Sequence, residues 1–179
     1  MDYEALERVL GHTFQDKALL ETALTHTSFA NEARHGTKHN ERLEFLGDSV
    51  LSIVVAEYLF THSSLPEGDL TRMRASLVCE AALFTFAQKI GLGRWLRLGH
   101  GEEMGGGRTR PSVVSDAFEA VIAALYLDGG IDAARAFILP FVTSALTKQS
   151  AEEDYKTKLQ EVVQQNPSER LRYVVASQT

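Results

Sequence analysis

The chain has 179 residues, of which 44% are hydrophobic and 23% charged, a composition typical of one folded domain plus a short extra segment. Cys79 is the single cysteine, which excludes an intramolecular disulfide and a cysteine zinc site. No apolar run reaches ~18 residues and no signal-peptide pattern is present, so we expect a cytoplasmic protein without a membrane span. The net charge of −6 is opposite in sign to that of most nucleic-acid-binding proteins.

The first half of the chain predicts helices. Apolar residues at three- and four-residue spacing indicate two short amphipathic helices separated near Gly11, and a polar loop follows at residues 31–40. Residues 41–60 contain no proline and are apolar around most of the circumference, which predicts a long central helix buried by its neighbours. We then expect a turn at residues 63–69, followed by one helix at residues 70–80 and another at residues 80–90.

The glycine-dense segment 91–111 predicts a mobile loop. A helix should begin at Ser112 or Ser115, run through Tyr126 and end at the following glycine pair. Residues 131–146 should form the last helix of this part. Because no segment up to residue 147 has a convincing strand pattern, the predicted fold class of residues 1–147 is all-α.

The remaining residues predict an incomplete α-β fragment. Residues 148–153 are hydrophilic and indicate a linker, whereas residues 154–179 contain a helical pattern and then LRYVVAS, a strand pattern at residues 171–177. One helix and one strand bury too little apolar surface to form an independent domain. We therefore expect residues 154–179 to be part of a larger domain.

Acidic residues interrupt the apolar pattern of two helices. Glu41, Glu44 and Asp48 lie within roughly 60° of arc on one helix, and Asp116 and Glu119 lie three residues apart on another. Like charges at these spacings repel by a few tenths of a kcal/mol per pair, and packing does not require them. Carboxylates from two facing helices suit Mg²⁺ or Mn²⁺ and hence phosphoryl transfer. A solvated helix face explains the same pattern, so the pattern alone leaves both interpretations open.

Residues 39–51, HNERLEFLGDSVL, resemble the signature of the ribonuclease III family in a long and specific match. Three further segments agree with that family in order and spacing: ALTHTSFANE (23–32), PEGDLTRMRASLV (66–78) and SDAFEAVIAALYLDGG (115–130). The resemblance implies a helical endonuclease domain over nearly all of residues 1–147. Residues 154–163 and 172–177 are similar to the start of the double-stranded RNA-binding domain that usually follows in this family.

The resemblance implies roles for the acidic residues. Glu44, Asp48, Asp116 and Glu119 match the metal-binding positions, with Asp48 and Glu119 at the reaction centre. The implied cofactor is Mg²⁺, which Mn²⁺ can replace. Hydrolysis would then use metal-activated water, positioned or deprotonated by Asp48 and Glu119.

Other positions have weaker assignments. Glu41 and Glu67 match supporting acidic positions of the same catalytic valley. Phe45 matches an aromatic residue that enters a pocket on the other subunit of a homodimer, and an ordinary core phenylalanine is the alternative. Arg108 and Arg110 follow three glycines and could bracket a phosphate of the RNA backbone, whereas a solvated loop is the alternative.

Two further residues have structural expectations. His26, which precedes Thr27 and Ser28, should satisfy a buried hydrogen-bond network and not bind a metal. Cys79 should be an inert thiol in the core.

The implied activity is metal-dependent hydrolysis of double-stranded RNA by a homodimer, leaving 5′-phosphate and 3′-hydroxyl ends with short 3′ overhangs. Substrates of such enzymes are typically ribosomal RNA precursors and structured messenger RNA. A non-catalytic RNA-binding relative is one alternative, but it predicts lost carboxylates, and all four are present. A minimal nuclease without an RNA-binding domain is the other, and residues 154–179 argue against it.

Overall fold

The computed structural model describes residues 3–33 and 36–164, with side chains as far as residue 148. Its helices are α1 (Tyr3–Leu10), α2 (Lys17–Ala23), α3 (Thr27–Glu32), α4 (Glu41–His62), α5 (Glu67–Val78), α6 (Glu80–Lys89), α7 (His100–Met104) and α8 (Pro111–Gln164). Single turns of 3-10 helix lie at Leu92–Trp95 and Gly107–Thr109. In these described ranges, the extended pairing is one parallel bridge between Thr25 and Arg97. The predicted all-α class is therefore confirmed.

The first part of α8 forms the centre of the core. Residues 120–125 have no exposed surface. Among the described residues, no other run of six is buried as completely. Four phenylalanines, on α6 and on both parts of α8, pack with ring centroids 5.3 to 6.2 Å apart: Phe86, Phe118, Phe137 and Phe141. Burial of each such ring stabilises the fold by about 1.5–3 kcal/mol.

A glycine interrupts α8, as the sequence predicts. Gly130 has φ of 73° and ψ of −174°, so residues 111–129 and 131–164 form two helices. Just before this break, the carboxylate of Asp128 accepts hydrogen bonds from the Asp16 and Gln15 backbones at 2.9 and 3.0 Å and lies 2.7 Å from His12 Nε2. These contacts hold the α1–α2 connection against the end of the first α8 segment.

Gly47 sets the distance between α4 and α8. A Cβ atom at this position would lie 1.9 Å from the backbone oxygen of Glu119, a separation that real Cβ atoms do not reach. Glycine therefore permits a backbone approach that any other residue would block. Gly47 lies between Glu44 and Asp48 on α4, so this close approach carries both acids to the acidic part of α8.

The segment expected to be a mobile loop has local structure. It contains α7 and both 3-10 turns, and the Arg108 guanidinium lies at its centre. Arg108 donates to both carboxylate oxygens of Glu103 at 2.6 Å and to the carbonyls of Gly93 and Leu96 at 3.0 and 2.8 Å. The expectation of a mobile loop was wrong because the five N–H donors of one guanidinium can bind backbone carbonyls that no helix or sheet pairs, and this orders the segment.

Other boundaries differ from the predictions. Helix α3 was not predicted, and α5 begins at Glu67, inside the expected turn. Cys79 is exposed at the junction of α5 and α6, so its assignment to the core is wrong. Cys79 caps both helices with an extended backbone, φ of −76° and ψ of 156°, so it does not lie on the buried face of either helix.

The C-terminal part also differs. Residues 148–153, expected to be a linker, continue α8 as helix, because Lys, Gln, Ala and Glu favour helix and neither Gly nor Pro interrupts them. The expected helix after them is present to Gln164, whereas the predicted strand at 171–177 lies outside the described residues. The chain divides into compact units at 1–142 and 143–179. The division into a domain at 1–147 and a fragment at 154–179 stays a prediction.

Among the described residues, no helix has the length and apolar character needed to cross a membrane.

Replacing Gly47 by Ala should destabilise the fold. Alanine favours an exposed helix over glycine by about 1 kcal/mol, but a Cβ pressed on the Glu119 backbone must push α4 and α8 apart. Overpacking of this kind typically costs about 1–3 kcal/mol, and backbone is the least yielding neighbour. Urea denaturation should show a lower free energy of unfolding than in the wild type.

Gly68→Ala in α5 is the matched control. The atom nearest to its added Cβ is the Nη1 atom of Arg72, 3.9 Å away, so helix propensity should dominate and stability should be equal or higher. The same response from both variants would contradict the role assigned to Gly47.

Candidate metal centre

Three carboxylates converge where α4 meets α8. Glu44 on α4 and Asp116 and Glu119 on α8 each place one oxygen within 4.8 Å of the others. The two α8 acids share a helix face because they are three residues apart, and the approach at Gly47 brings Glu44 opposite them. All three are half-buried. We refer to Glu44, Asp116 and Glu119 as the carboxylate cluster.

Asp48 lies beside this cluster. It is one helical turn after Glu44 and is exposed, and it is not one of the three residues whose oxygens converge. Its negative charge nevertheless contributes to raising the pKa of both Glu44 and Glu119. Asp48 is thus placed at the open side of the cluster.

Burial and mutual repulsion make the charged form of the cluster unfavourable. Burial, followed by the charges of Asp48, Asp116 and Glu44, raises the pKa of Glu119 to about 8. Burial is also the main cause that raises the pKa of Glu44 and that of Asp116. Without a cation, Glu119 therefore holds a proton at neutral pH.

The donor set fits a hard divalent cation. It consists of carboxylate oxygens without a sulfur or imidazole ligand, the preference of Mg²⁺ and Mn²⁺. In the part of the chain with described side chains, lysine and arginine form ion pairs with acids outside the cluster, such as Glu7, Glu21 and Glu103. Burial and the charge of Glu80 raise the pKa of Asp116 and outweigh the lowering effect of His26. A bound cation would supply the compensation that these side chains do not.

An open pocket of about 450 Å³ lies in front of the cluster. Its lining comes from α3, α4, their N-caps and α8: His26, Thr27, Asn40, Glu41, Glu44 and Asp116. The exposed carboxylate of Glu41 adds negative charge that contributes to raising the pKa of Glu44. Glu41 is therefore at the pocket, whereas its supporting role stays a prediction.

Glu67 lies elsewhere in the single chain. It begins α5, where its Oε1 atom accepts a hydrogen bond from Thr71 at 2.8 Å and its side chain lines a groove with Phe60. The positions of Glu44 and Phe60 along α4 are ~24 Å apart at 1.5 Å per residue. One chain does not bring Glu67 to the cluster, so a place for Glu67 in the same catalytic valley requires a second copy.

Phe45 is not a core residue of this chain. It is 79% exposed, and Phe60 and Ile53 on nearly the same face of α4 are 77% and 59% exposed. The expectation that the neighbours of α4 bury its apolar circumference is thus wrong for this face. Beside it lies an apolar groove of about 210 Å³ between α4 and α5, lined by Ala56, Leu59, Phe60, Glu67, Leu70, Thr71 and Arg74.

Both candidate RNA-binding arginines have internal partners. Arg108 binds Glu103 and backbone carbonyls, and Arg110 pairs with Glu102 at 2.6 Å and donates to the Gly105 carbonyl at 3.1 Å. Their observed role is to shape residues 91–110, and contact with RNA stays a prediction.

Sequence reasoning missed three residues near the cluster. His26 and Asn40 line the pocket, and the charge of Glu80, at the start of α6, contributes to raising the pKa of Asp116. Asn40 is the N-cap residue of α4, four residues before Glu44, so its spacing could have indicated it. His26 and Glu80 belong to other elements, and no spacing in the sequence could have indicated that they meet the cluster. The hydrogen-bond network expected for His26 is present, with Ser28 as its partner.

Comparisons with known proteins agree on one family. A family model described as Ribonuclease-III-like matches residues 16–146. A protein named Ribonuclease 3 from Oceanobacillus iheyensis is 47% identical over 177 residues, which cover 97% of this chain and 78% of that protein. Ribonuclease 3 from Caldanaerobacter subterraneus subsp. tengcongensis is 49% identical over 172 residues, 94% of this chain and 75% of that protein.

Solved structures also match. The nuclease domain of ribonuclease III from Campylobacter jejuni, described with structural flexibility in a region involved in dimer formation, has a TM-score of 0.73 at 42% identity. The match covers 80% of this chain and 97% of that one. Dicer from Pichia stipitis has a TM-score of 0.55 at 30% identity, over 79% of this chain and 59% of that one.

In metal-free buffer, the free energy of unfolding should fall as pH rises from about 5 to about 8. The folded-state pKa of Glu119 is above its ordinary value of 4.5, so the folded protein binds this proton more tightly than the unfolded chain does. This contribution is complete below pH 4.5 and is lost as pH passes about 8. Urea denaturation with EDTA across this range measures the slope.

Glu119→Gln is the control because glutamine does not titrate. Its free energy of unfolding should depend less steeply on pH than that of the wild type. Both proteins have the same histidines, so the contribution of the histidines cancels in the difference between the two slopes. Identical slopes would mean that Glu119 does not hold a proton in the folded protein.

Proposed function

The chain belongs to the ribonuclease III family and is an endoribonuclease of that type, and from this premise we propose that it acts as an Mg²⁺-dependent homodimer on double-stranded RNA. The proposed products carry 5′-phosphate and 3′-hydroxyl ends with short 3′ overhangs. The observation that carries the proposal is the convergence of Glu44, Asp116 and Glu119, with Asp48 beside them.

The carboxylate cluster would hold Mg²⁺, and Mn²⁺ could replace it because both ions accept oxygen ligands. When bound, the metal supplies Lewis-acid chemistry, which stabilises charge on the phosphate and lowers the pKa of the attacking water. The high apo pKa of Glu119 means that its carboxyl group must release a proton as the cation binds.

Asp48 and Glu119 would then position and deprotonate the water. Asp48 is suited to this role because it is exposed at the open side of the cluster, where solvent and substrate arrive. Water attacks the phosphorus atom, the bond from phosphorus to the 3′-oxygen breaks, and that oxygen takes a proton. The phosphate therefore stays on the 5′ end of one product.

A homodimer would supply one site for each strand of the duplex. Phe45 and its exposed neighbours on α4 form an apolar face, and the groove between α4 and α5 offers a cavity for an aromatic ring. Phe45 directly follows Glu44. Seating Phe45 in the groove of a second copy would thus bring its carboxylate cluster near Glu67 of that copy, which gives Glu67 a place in the shared valley.

The proposal extends to the rest of the chain and its substrates. Residues 154–179 would belong to a double-stranded RNA-binding domain that adds affinity. Arg108 and Arg110 would add contacts with phosphates. We propose ribosomal RNA precursors and structured messenger RNA in the cytoplasm as substrates, since bacterial relatives named Ribonuclease 3 cover most of the chain.

Glu119→Gln should reduce cleavage of long double-stranded RNA by at least about 100-fold, because it removes a metal ligand while keeping the size of the side chain. Initial rates with Mg²⁺ and with EDTA, together with labelling of the product 5′ ends before and after phosphatase, test the reaction and its products.

Glu57→Gln is the control on the same helix. Glu57 is exposed and pairs with Arg135, away from the cluster, so its loss should change the rate by no more than about two-fold. Metal-independent cleavage, or equal rates for both variants, would contradict the proposed site.

Phe45→Ala should weaken dimerisation without destabilising the monomer, because Phe45 is 79% exposed in the single chain. Loss of a central aromatic contact costs about 2 kcal/mol or more, which is roughly a 30-fold rise in the dimer dissociation constant. Sedimentation across a concentration series measures this constant.

Met104→Ala is the comparison, since Met104 is 76% exposed but lies on α7. The dimer dissociation constant of Met104→Ala should match that of the wild type. An unaltered dimer in Phe45→Ala would overturn the assigned interface.

A further inference from the structure

His26 is held rigidly at the edge of the pocket. Its backbone N–H donates to the Arg97 carbonyl at 3.0 Å, and its side chain caps α3. Ring atom Nδ1 lies 3.3 Å from the Ser28 backbone nitrogen and 2.8 Å from Ser28 Oγ. The ring is therefore fixed from both its backbone and its side chain.

These contacts determine the tautomer of the ring. The Ser28 backbone N–H can only donate, so Nδ1 must accept. Ser28 Oγ accepts a hydrogen bond from the Gly99 backbone N–H at 2.9 Å, which leaves its own proton free to donate to Nδ1. With Nδ1 as an acceptor, the neutral ring carries its proton on Nε2.

The pocket needs donors that its acids do not supply. Three of its six lining side chains, Glu41, Glu44 and Asp116, are carboxylates. Phosphate oxygens of RNA only accept hydrogen bonds. The other possible side-chain donors of the lining are Thr27, which is half-buried, and Asn40, which is 3% exposed. Among the described residues, no hydrogen-bond partner occupies His26 Nε2, so this N–H is available at a fixed position.

We propose that His26 is a substrate-binding residue whose Nε2–H donates a hydrogen bond to a phosphate oxygen of the RNA strand in the pocket. This inference rests on the proposed function and specifies a contact of the same site. The capping bond at Nδ1 has a second effect, because it keeps the donor on the ring atom that faces the substrate.

His26→Asn separates capping from RNA binding. Asparagine is among the best helix N-caps, so it should keep the bond to the Ser28 backbone, but it is too short to place a donor where Nε2 lies. His26→Ala loses both functions. The thermal midpoint should therefore be close to that of the wild type in His26→Asn and lower in His26→Ala.

RNA affinity should be reduced in both variants. Binding to a duplex RNA with Mg²⁺, measured in a Glu119→Gln background to prevent cleavage, should weaken roughly 5- to 10-fold, the effect of losing one hydrogen bond. The plot of log affinity against log salt should keep its slope, because a neutral donor releases no counterion. In otherwise wild-type enzyme, KM should rise by a similar factor with kcat little changed.

Each outcome decides the inference. Wild-type RNA affinity in His26→Asn would overturn it. If this variant also keeps the thermal midpoint of the wild type, helix capping is the only role of His26. A shallower salt slope would also overturn it, by identifying a charged ring. Weaker Mg²⁺ binding without RNA, measured by calorimetry, would also overturn it, because His26 would then act through the metal ligand Asp116, which lines the same pocket. If the parent protein neither binds nor cuts duplex RNA, the proposed function itself fails.

Discussion

The close approach of α4 and α8 at Gly47 is the constraint on which the rest of the site depends. Glu44 and Asp48 flank Gly47 on α4, and the backbone oxygen that Gly47 contacts belongs to Glu119 itself. One backbone contact therefore sets the distances among acids from two helices that are far apart in sequence. A methyl group in this position would separate the helices and the carboxylates together, so packing and chemistry share the same residue.

The same approach creates an electrostatic cost. The half-buried acids repel one another, which is why the pKa of Glu119 rises to about 8 and why the pKa values of Glu44 and Asp116 also rise. Hydrophobic burial along α8 offsets this cost, since residues 120–125 are completely enclosed one turn beyond Asp116. A net charge of −6 would then be compatible with the proposed binding of RNA, because a bound divalent cation would reverse the local field at the cluster.

Helix α4 has three different faces, and each has its own consequence. One face packs in the core through Val50, Val54 and Val55, and another carries the acids. The third, with Phe45 and Phe60, is apolar and exposed. An apolar residue contributes the same pattern to a sequence whether it packs within its own chain or against a second one, so the pattern predicted burial where the single chain leaves a surface uncovered.

The sequence by itself determined the helical class, the break at Gly130, the shared face of Asp116 and Glu119, and the family, because each depends on local spacing or on a contiguous motif. Only the tertiary structure decided what depends on contacts between distant segments. It placed His26 beside the acids, engaged Arg108 with carbonyls within its own loop and left Glu67 at a separate groove. Residue spacing specifies which side chains share one helix face, but the meeting of two elements depends on backbone approach, which spacing along the chain does not encode.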